Sequence, residues 1–211
     1  SSRFDIIHFH IDYLHFPLAR RDGALNLTTL HGRLDIPDLV PLYLKLAHHV
    51  GVGAENLLLA PGSDGAIRAV FEAFVSPGDA VVLTAPTFAM YPVYGRIFGA
   101  RVVPVEYTPS KSGPMLSVEA LIETIDRERP RLVCLPNPDS PTGTVFAPSA
   151  LERIVAAAGR VGAVMLADEA YYPFHPETIV PLIPKHPHLV VVRSTGKAWG
   201  MAGLRIGYAI A

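Results

Sequence analysis

From about residue 56 onward, short apolar runs alternate with helix-like segments, and several of the runs are apolar without a break. Val81-Val82-Leu83 and Val190-Val191-Val192 are two such runs. A strand with one wet face alternates apolar and polar residues, so an unbroken run marks a strand covered on both faces. The strand candidates are Leu57 to Ala60, Ala80 to Thr84, Arg101 to Val105, Arg131 to Leu135, Ala163 to Leu166, Leu189 to Val192 and Leu204 to Ile210. Between them lie helix candidates with start and stop signals. Ser63 is placed to cap a helix from Asp64 to about Val75 that stops at Pro77-Gly78. A segment from Phe88 to Phe98 ends at Gly99, Ser117 opens a helix that ends near Pro130, and Pro148 to Arg160 forms another. This pattern predicts an α/β architecture of three layers around a mostly parallel seven-stranded sheet. Ligands of such sheets bind at the carboxyl ends of the strands.

The first part of the chain differs. Ile6 to Phe16 is apolar and carries His8, His10 and His15, and Asp35-Ile36-Pro37 starts a helix that runs to about Val50 and stops at Gly51. The reading is an N-terminal arm over 1–35 and a binding domain over 36–211. His8 and His10 would share one face of a strand, but no acid or cysteine pattern completes a ligand set, so no metal is expected.

Half of the 211 residues are apolar, enough for a sizeable core, and the formal net charge is −1. That balance favours neither nucleic acid nor an anionic membrane surface as a partner. The single cysteine, Cys134, allows no intrachain disulfide and sits in an apolar run, where a packed thiol is expected. There is no run of eighteen apolar residues and no basic-then-apolar start, so a cytoplasmic protein is the expectation.

Three segments carry chemistry, each just past a strand candidate. Pro61-Gly62-Ser63-Asp64-Gly65 is a glycine-containing turn that opens a helix, and backbone amides plus the helix dipole then face an anion such as phosphate. Asp168, in Ala167-Asp168-Glu169-Ala170-Tyr171, is placed where a carboxylate can hold a heteroaromatic nitrogen protonated. Lys197, in Ser194-Thr195-Gly196-Lys197-Ala198-Trp199-Gly200, can attack an aldehyde from a sheltered cleft, and Arg205 follows as a partner for phosphate. Taken singly, each is as readily a capped turn, a solvated acid or a surface cation. Together they supply a phosphate cradle, a pyridine-nitrogen partner and a Schiff-base lysine, the signature of a pyridoxal phosphate site.

On these strings, with Pro86-Thr87-Phe88-Ala89-Met90-Tyr91, Pro141-Thr142-Gly143 and Lys197-Ala198-Trp199-Gly200-Met201-Ala202-Gly203-Leu204-Arg205, the chain resembles the class I/II aminotransferases of fold type I, and among them the histidinol-phosphate aminotransferase group. The resemblance runs from about Gly51 to the end. It implies pyridoxal 5'-phosphate as cofactor, amino acid and 2-oxo acid substrates, and a homodimer. It implies that Lys197 holds the cofactor and moves the substrate α-proton, that Asp168 bonds the pyridine nitrogen, and that Tyr171 bonds the ring oxygen. Phe88 would stack on the ring. Apart from the resemblance, Tyr91 and Tyr94 read equally as pocket lining near Phe88 and as core or interface packing. Ser63, Asp64 and Gly65 would offer amides to the phosphate, and Ser194 and Arg205 side chains.

The chain also departs from the family pattern. Ser140 stands where the family usually has an asparagine bonding the ring oxygen; serine is shorter, and Asn137 is a candidate to compensate. Gly196 replaces a frequent serine. The chain stops at Ala211, where family members continue into a small C-terminal domain, so a fragment of a longer enzyme is the expectation and no substrate-carboxylate residue is assignable. No aromatic residue that would reach a partner subunit is evident near Leu34 to Pro37. Decarboxylation or elimination on the same scaffold, and a non-catalytic protein of the same fold, stay open as alternatives.

Overall fold

The computed structural model describes residues 6–9, 25–28 and 39–211, with side chains from Pro41 onward. Contacts divide the chain into two units, Ser1–Leu58 and Leu59–Ala211. In the first, strand β1 (Ile6–Phe9) pairs in parallel with β2 (Leu25–Thr28), from Ile6 opposite Leu25 to Phe9 opposite Thr28. Helix α1 (Leu39–Val50) ends at Gly51, whose φ of 79° is open to glycine, with its amide donating to the Ala47 carbonyl at 2.8 Å. The expectations for His10, His15 and Leu34 to Pro37 lie outside the described residues.

The second unit alternates strand and helix as its sequence pattern requires. After β3 (Leu57–Pro61) come α2 (Gly62–Phe74), β4 (Ala80–Ala85), α3 (Met90–Ile97), β5 (Arg101–Glu106), α4 (Val118–Glu128), β6 (Leu132–Pro136), α5 (Pro148–Val161), β7 (Val164–Asp168), β8 (Leu189–Ser194) and β9 (Ile206–Ile210). The sheet is seven-stranded, in the order β3-β9-β8-β7-β6-β4-β5. The pairings β5–β4, β4–β6, β6–β7 and β7–β8 are parallel, while β9 runs antiparallel to β8. The expected mostly parallel α/β sheet is thus the observed one.

The central strands are buried on both faces, which accounts for their unbroken apolar runs: every residue of β6, β7 and β8 is buried. Phe71 and Ile67 of α2, Leu121 and Ile125 of α4, and Ile154 and Val155 of α5 cover the sheet at no more than 1% exposure. Truncating one of these to alanine costs about 2–5 kcal/mol, because the rigid surroundings leave a cavity. Helix α4 begins where Ser117 Oγ accepts from the Ala120 amide at 3.2 Å, as the sequence suggests. Helix α5 starts on Pro148 and ends at Gly162 in the left-handed region.

Element ends shift in two places. Helix α2 starts at Gly62 with Pro61 as its cap, and Ser63 lies inside the first turn with no capping hydrogen bond, so the expected Ser63 cap is not formed. The last strand starts at Ile206, because Ala202–Leu204 forms a short 3₁₀ turn that ends on Arg205 in the left-handed region. Cys134 is buried, as expected for a packed thiol. Among the described residues no helix is long and apolar enough to cross a membrane.

Candidate active site

The parallel strands β6, β7 and β8 end side by side, with Pro136 opposite Asp168 and Asp168 opposite Val192. This register brings the loops after β6, β7 and β8 to the same edge. The start of α2 joins them through β9: the Gly62 amide donates to the Arg205 carbonyl at 2.8 Å, and Gly62 bridges Ile206. A cavity of about 340 Å³ opens there, lined by Gly62, Ser63, Asp64, Phe88, Met90, Pro136, Pro138, Ser140, Asp168, Ala170, Tyr171, Ser194, Lys197 and Arg205. Its size suits a small organic ligand.

Asp168 is the acid of the buried side. It is 6% exposed. Its Oδ1 accepts from the Ala170 amide at 2.9 Å and its Oδ2 from the Tyr91 hydroxyl at 2.8 Å. Burial pushes its carboxyl up to about 6, against those two hydrogen bonds, while Glu169 raises it further and Lys197 lowers it. Lys197 lines the same cavity, itself exposed, with Nζ 5.2 Å from the Tyr171 ring centroid. Lys197 thus lines the cavity from an exposed position, whereas Asp168 is buried.

The anion end is built from backbone and one guanidinium. The first four amides of a helix have no helical partner, so Ser63 and Asp64 stand where amides and the helix dipole face the cavity. Gly62 has φ of 77°, and a Cβ on it would lie 3.0 Å from Arg205 Nη2. The guanidinium thus occupies the place a side chain would fill. Ser194 Oγ accepts from the Gly196 amide at 3.1 Å, which holds the hydroxyl on the cavity wall.

Of the residues singled out in the sequence, Ser63, Asp64, Phe88, Ser140, Asp168, Tyr171, Ser194, Lys197 and Arg205 all line this cavity, and Gly65 does not. Counting from Pro61, Gly65 is the first position whose amide the helical ladder can take, and a Cβ there would face the Pro61 ring at 2.8 Å. Asn137 does not line it either: its Oδ1 accepts from the Phe146 amide at 2.8 Å. Tyr91 and Tyr94 stand behind the wall rather than on it. Tyr94 donates to Asp64 Oδ1 at 3.0 Å, and Tyr91 donates to Asp168. They lie three apart on α3 and so share one face of it, the signal that pairs them in the sequence. Gly62, Met90, Pro136, Pro138 and Ala170 complete the lining; Gly62, Met90 and Ala170 lie within the strings noted above without an assigned role, and Pro136 and Pro138 belong to none of them. Among the described residues no group of three His, Cys, Asp or Glu side chains could hold a metal.

A histidinol-phosphate aminotransferase of Caldanaerobacter subterraneus subsp. tengcongensis is 37% identical over 174 residues, which are 82% of this chain and 48% of that protein. One from Thermoanaerobacter pseudethanolicus is 37% identical over 83% of this chain and 48% of its own length. The chain therefore spans about half the length of the curated relatives it matches. Among solved structures, the histidinol-phosphate aminotransferase of Sinorhizobium meliloti in complex with pyridoxal-5'-phosphate superimposes with a TM-score of 0.70 at 29% identity, covering 82% of this chain and 46% of that one. The profile of aminotransferase class I and II matches residues 18–211, and with this fold and these relatives the chain belongs to the class I and II aminotransferase family.

Proposed function

We propose that this chain is the cofactor-binding part of a pyridoxal-phosphate-dependent aminotransferase. It would move an amino group between an amino acid, or an amino-phosphate such as histidinol phosphate, and a 2-oxo acid. The observation that carries this reading is one cavity holding a lysine amine, a buried carboxylate, a helix N-terminus and a guanidinium.

The donor set fits the cofactor. Pyridoxal phosphate is a flat anion with a basic ring nitrogen, and the guanidinium seated over Gly62 forms the cradle its phosphate needs. Once bound, the group supplies an electron sink for the bond broken at the substrate's α-carbon. The remaining work falls to the chain. The amides of the first α2 turn, Ser194 and Arg205 bind the phosphate. Phe88 and Ala170 shape the walls that keep the ring in place, and Tyr171 and Ser140 stand on the lining for its oxygen. Asp168 keeps a proton on the ring nitrogen, which needs the carboxylate ionised. Lys197 would be the amine that holds the cofactor, and its Nζ would be the base for the substrate's α-proton.

The same reading carries a homodimer and a cytoplasmic location, and residues 1–35 as an arm before a binding domain over 36–211. Its support is the family membership and the cavity chemistry. Borohydride reduction of the protein purified with pyridoxal phosphate, followed by peptide mass spectrometry, tests it. A phosphopyridoxyl group on Lys197, and pyridoxamine phosphate formed with an amino donor, are expected. Release of an amine or ammonia with no pyridoxamine phosphate would sink the transaminase reading. Light scattering on the protein tests the dimer.

A further inference from the structure

The hydroxyl of Tyr91 lies 2.8 Å from Asp168 Oδ2, across 77 residues of sequence. Tyr91 is fully buried and lies behind the cavity wall, so it touches no ligand there. Its ring meets Phe88 edge-on, with centroids 5.8 Å apart and planes at 87°. One side chain therefore touches the ring expected to stack on the cofactor and the acid expected to bond its nitrogen.

Asp168 needs such a partner. An ionised carboxylate in a buried site is unfavourable unless donors surround it. Its Oδ1 has the Ala170 amide. Without Tyr91, Oδ2 would have no donor from the described protein, and the carboxylate would be free to turn about its Cβ–Cγ bond. With both oxygens held, its plane is fixed, and each oxygen keeps a second lone pair for the ring nitrogen. The other groups facing this pair are Glu169 on the next residue, Lys197 on the cavity lining and the Cys134 thiol of β6, with Asp139 acting on Tyr91. Cys134 and Tyr91 are both held protonated by burial, so Tyr91 remains a donor at every pH where the protein works.

We propose that Tyr91 is the positioning residue for the cofactor's nitrogen partner: its phenol fixes the plane of the Asp168 carboxylate and keeps that carboxylate ionised. The inference rests on the pyridoxal phosphate reading and deepens it, and it has a readout that does not need the cofactor.

That readout is the Asp168 carboxyl titration, followed by ¹³C NMR in the cofactor-free chain. Tyr91→Phe removes the donor alone. The Asp168 midpoint should rise above its wild-type value, and 3-fluorotyrosine in place of Tyr91, a stronger donor of the same shape, should lower it. An unchanged midpoint in both would overturn the proposal.

The second readout is the dissociation constant for pyridoxal phosphate, measured by equilibrium dialysis. A hydrogen bond to a charged group sets the scale, so Tyr91→Phe should weaken binding by about ten- to a hundred-fold. In an Asp168→Asn background the same change should add almost nothing. An equal loss in both backgrounds would mean that Tyr91 acts through packing, and the positioning role would fall. No binding by the wild-type protein would overturn the proposed function, while the carboxyl titration would still decide the role of Tyr91.

Discussion

The Arg193 guanidinium donates twice to one carboxylate oxygen of Glu169, from Nε at 3.0 Å and from Nη2 at 2.8 Å. Arg193 and Glu169 are each 3% exposed. The pair ties the end of β7 to β8, and each member is the sequence neighbour of a cavity residue, Asp168 and Ser194. The other Glu169 oxygen accepts from the Ile179 amide at 2.9 Å and from Thr178 at 3.0 Å, and the guanidinium lies 3.7 Å from the Tyr172 ring centroid. A buried ion pair is costly to break from one side, because the surviving charge has nowhere to go. Arg193→Met should therefore lower the unfolding free energy by about 3–5 kcal/mol, and Glu169→Gln should cost less, since the amide still accepts. The double variant should cost less than the sum. Urea unfolding of the four chains checks this, and additive losses would show that the two side chains are not coupled.

Asp168 should make the cofactor-free protein less stable as pH rises. Its ordinary value is 3.8, and burial lifts it to about 6 in the folded chain. Below the lower value both states hold the proton. Between the two, the folded state keeps a proton the unfolded state has released, so rising pH favours unfolding, and above about 6 the penalty is complete. A shift of that size corresponds to about 3 kcal/mol at most. Asp168→Asn escapes it, since the Tyr91 hydroxyl can turn to accept from the amide. The variant should match wild type at about pH 4 and exceed it by about 2–3 kcal/mol near pH 7.5, as measured by urea midpoints. A constant difference across that range would show that the carboxyl does not titrate as the burial implies.

These two relationships mark where sequence reading stops. Residues that act locally are legible. Val81-Val82-Leu83 reads as a doubly covered strand because covering both faces removes the polar alternation. Asp168 and Lys197 stand out because each follows a strand end in a short, ordered string, the second of which closes on Arg205. Tyr91 and Asp168 become partners only when the sheet order places β4, β6 and β7 side by side, and Glu169 and Arg193 only when it places β7 beside β8; neither residue of a pair marks the other in sequence. The start of α2 was missed by two residues for a similar reason. Gly62 bonds Arg205 and approaches β9, so the tertiary contact, not the Ser63 hydroxyl, sets where the helix begins. Sequence alone does not show which amides of the first helical turn face the cavity, and Gly65 is not on its lining.

Gly207 is the position where β9 touches that turn. A Cβ there would lie 2.1 Å from both the Gly62 carbonyl carbon and the Ser63 amide nitrogen. These are backbone atoms, so no side chain can move aside. Gly207→Ala should push β9 from the start of α2, at a cost of about 3 kcal/mol or more in unfolding free energy. Pyridoxal phosphate affinity should fall with it, because the displaced Ser63 amide is one of the proposed phosphate donors. A wild-type urea midpoint would mean that the two segments separate easily.

Arg205 should show opposite signs for stability and binding. It adopts φ 52° and ψ 39°, left-handed geometry that costs a side-chain-bearing residue about 1–2 kcal/mol. Its guanidinium also sits beside Gly62 at the N-terminus of α2, the end where the helix dipole repels a cation. Neither feature helps the empty fold, and both suit an anion held between the guanidinium and the helix. Arg205→Gly should therefore raise the unfolding free energy of the cofactor-free chain by about 1 kcal/mol. It should also weaken pyridoxal phosphate binding by about ten-fold or more, the loss of a charge-assisted contact. Arg205→Lys keeps the strained backbone and the charge but not the two-pronged fork, so it should gain no stability and lose part of the affinity. Urea unfolding and equilibrium dialysis on the same three chains read both quantities. A glycine variant that lost stability along with affinity would show that Arg205 is held there for packing, and the proposed phosphate role would lose its physical basis.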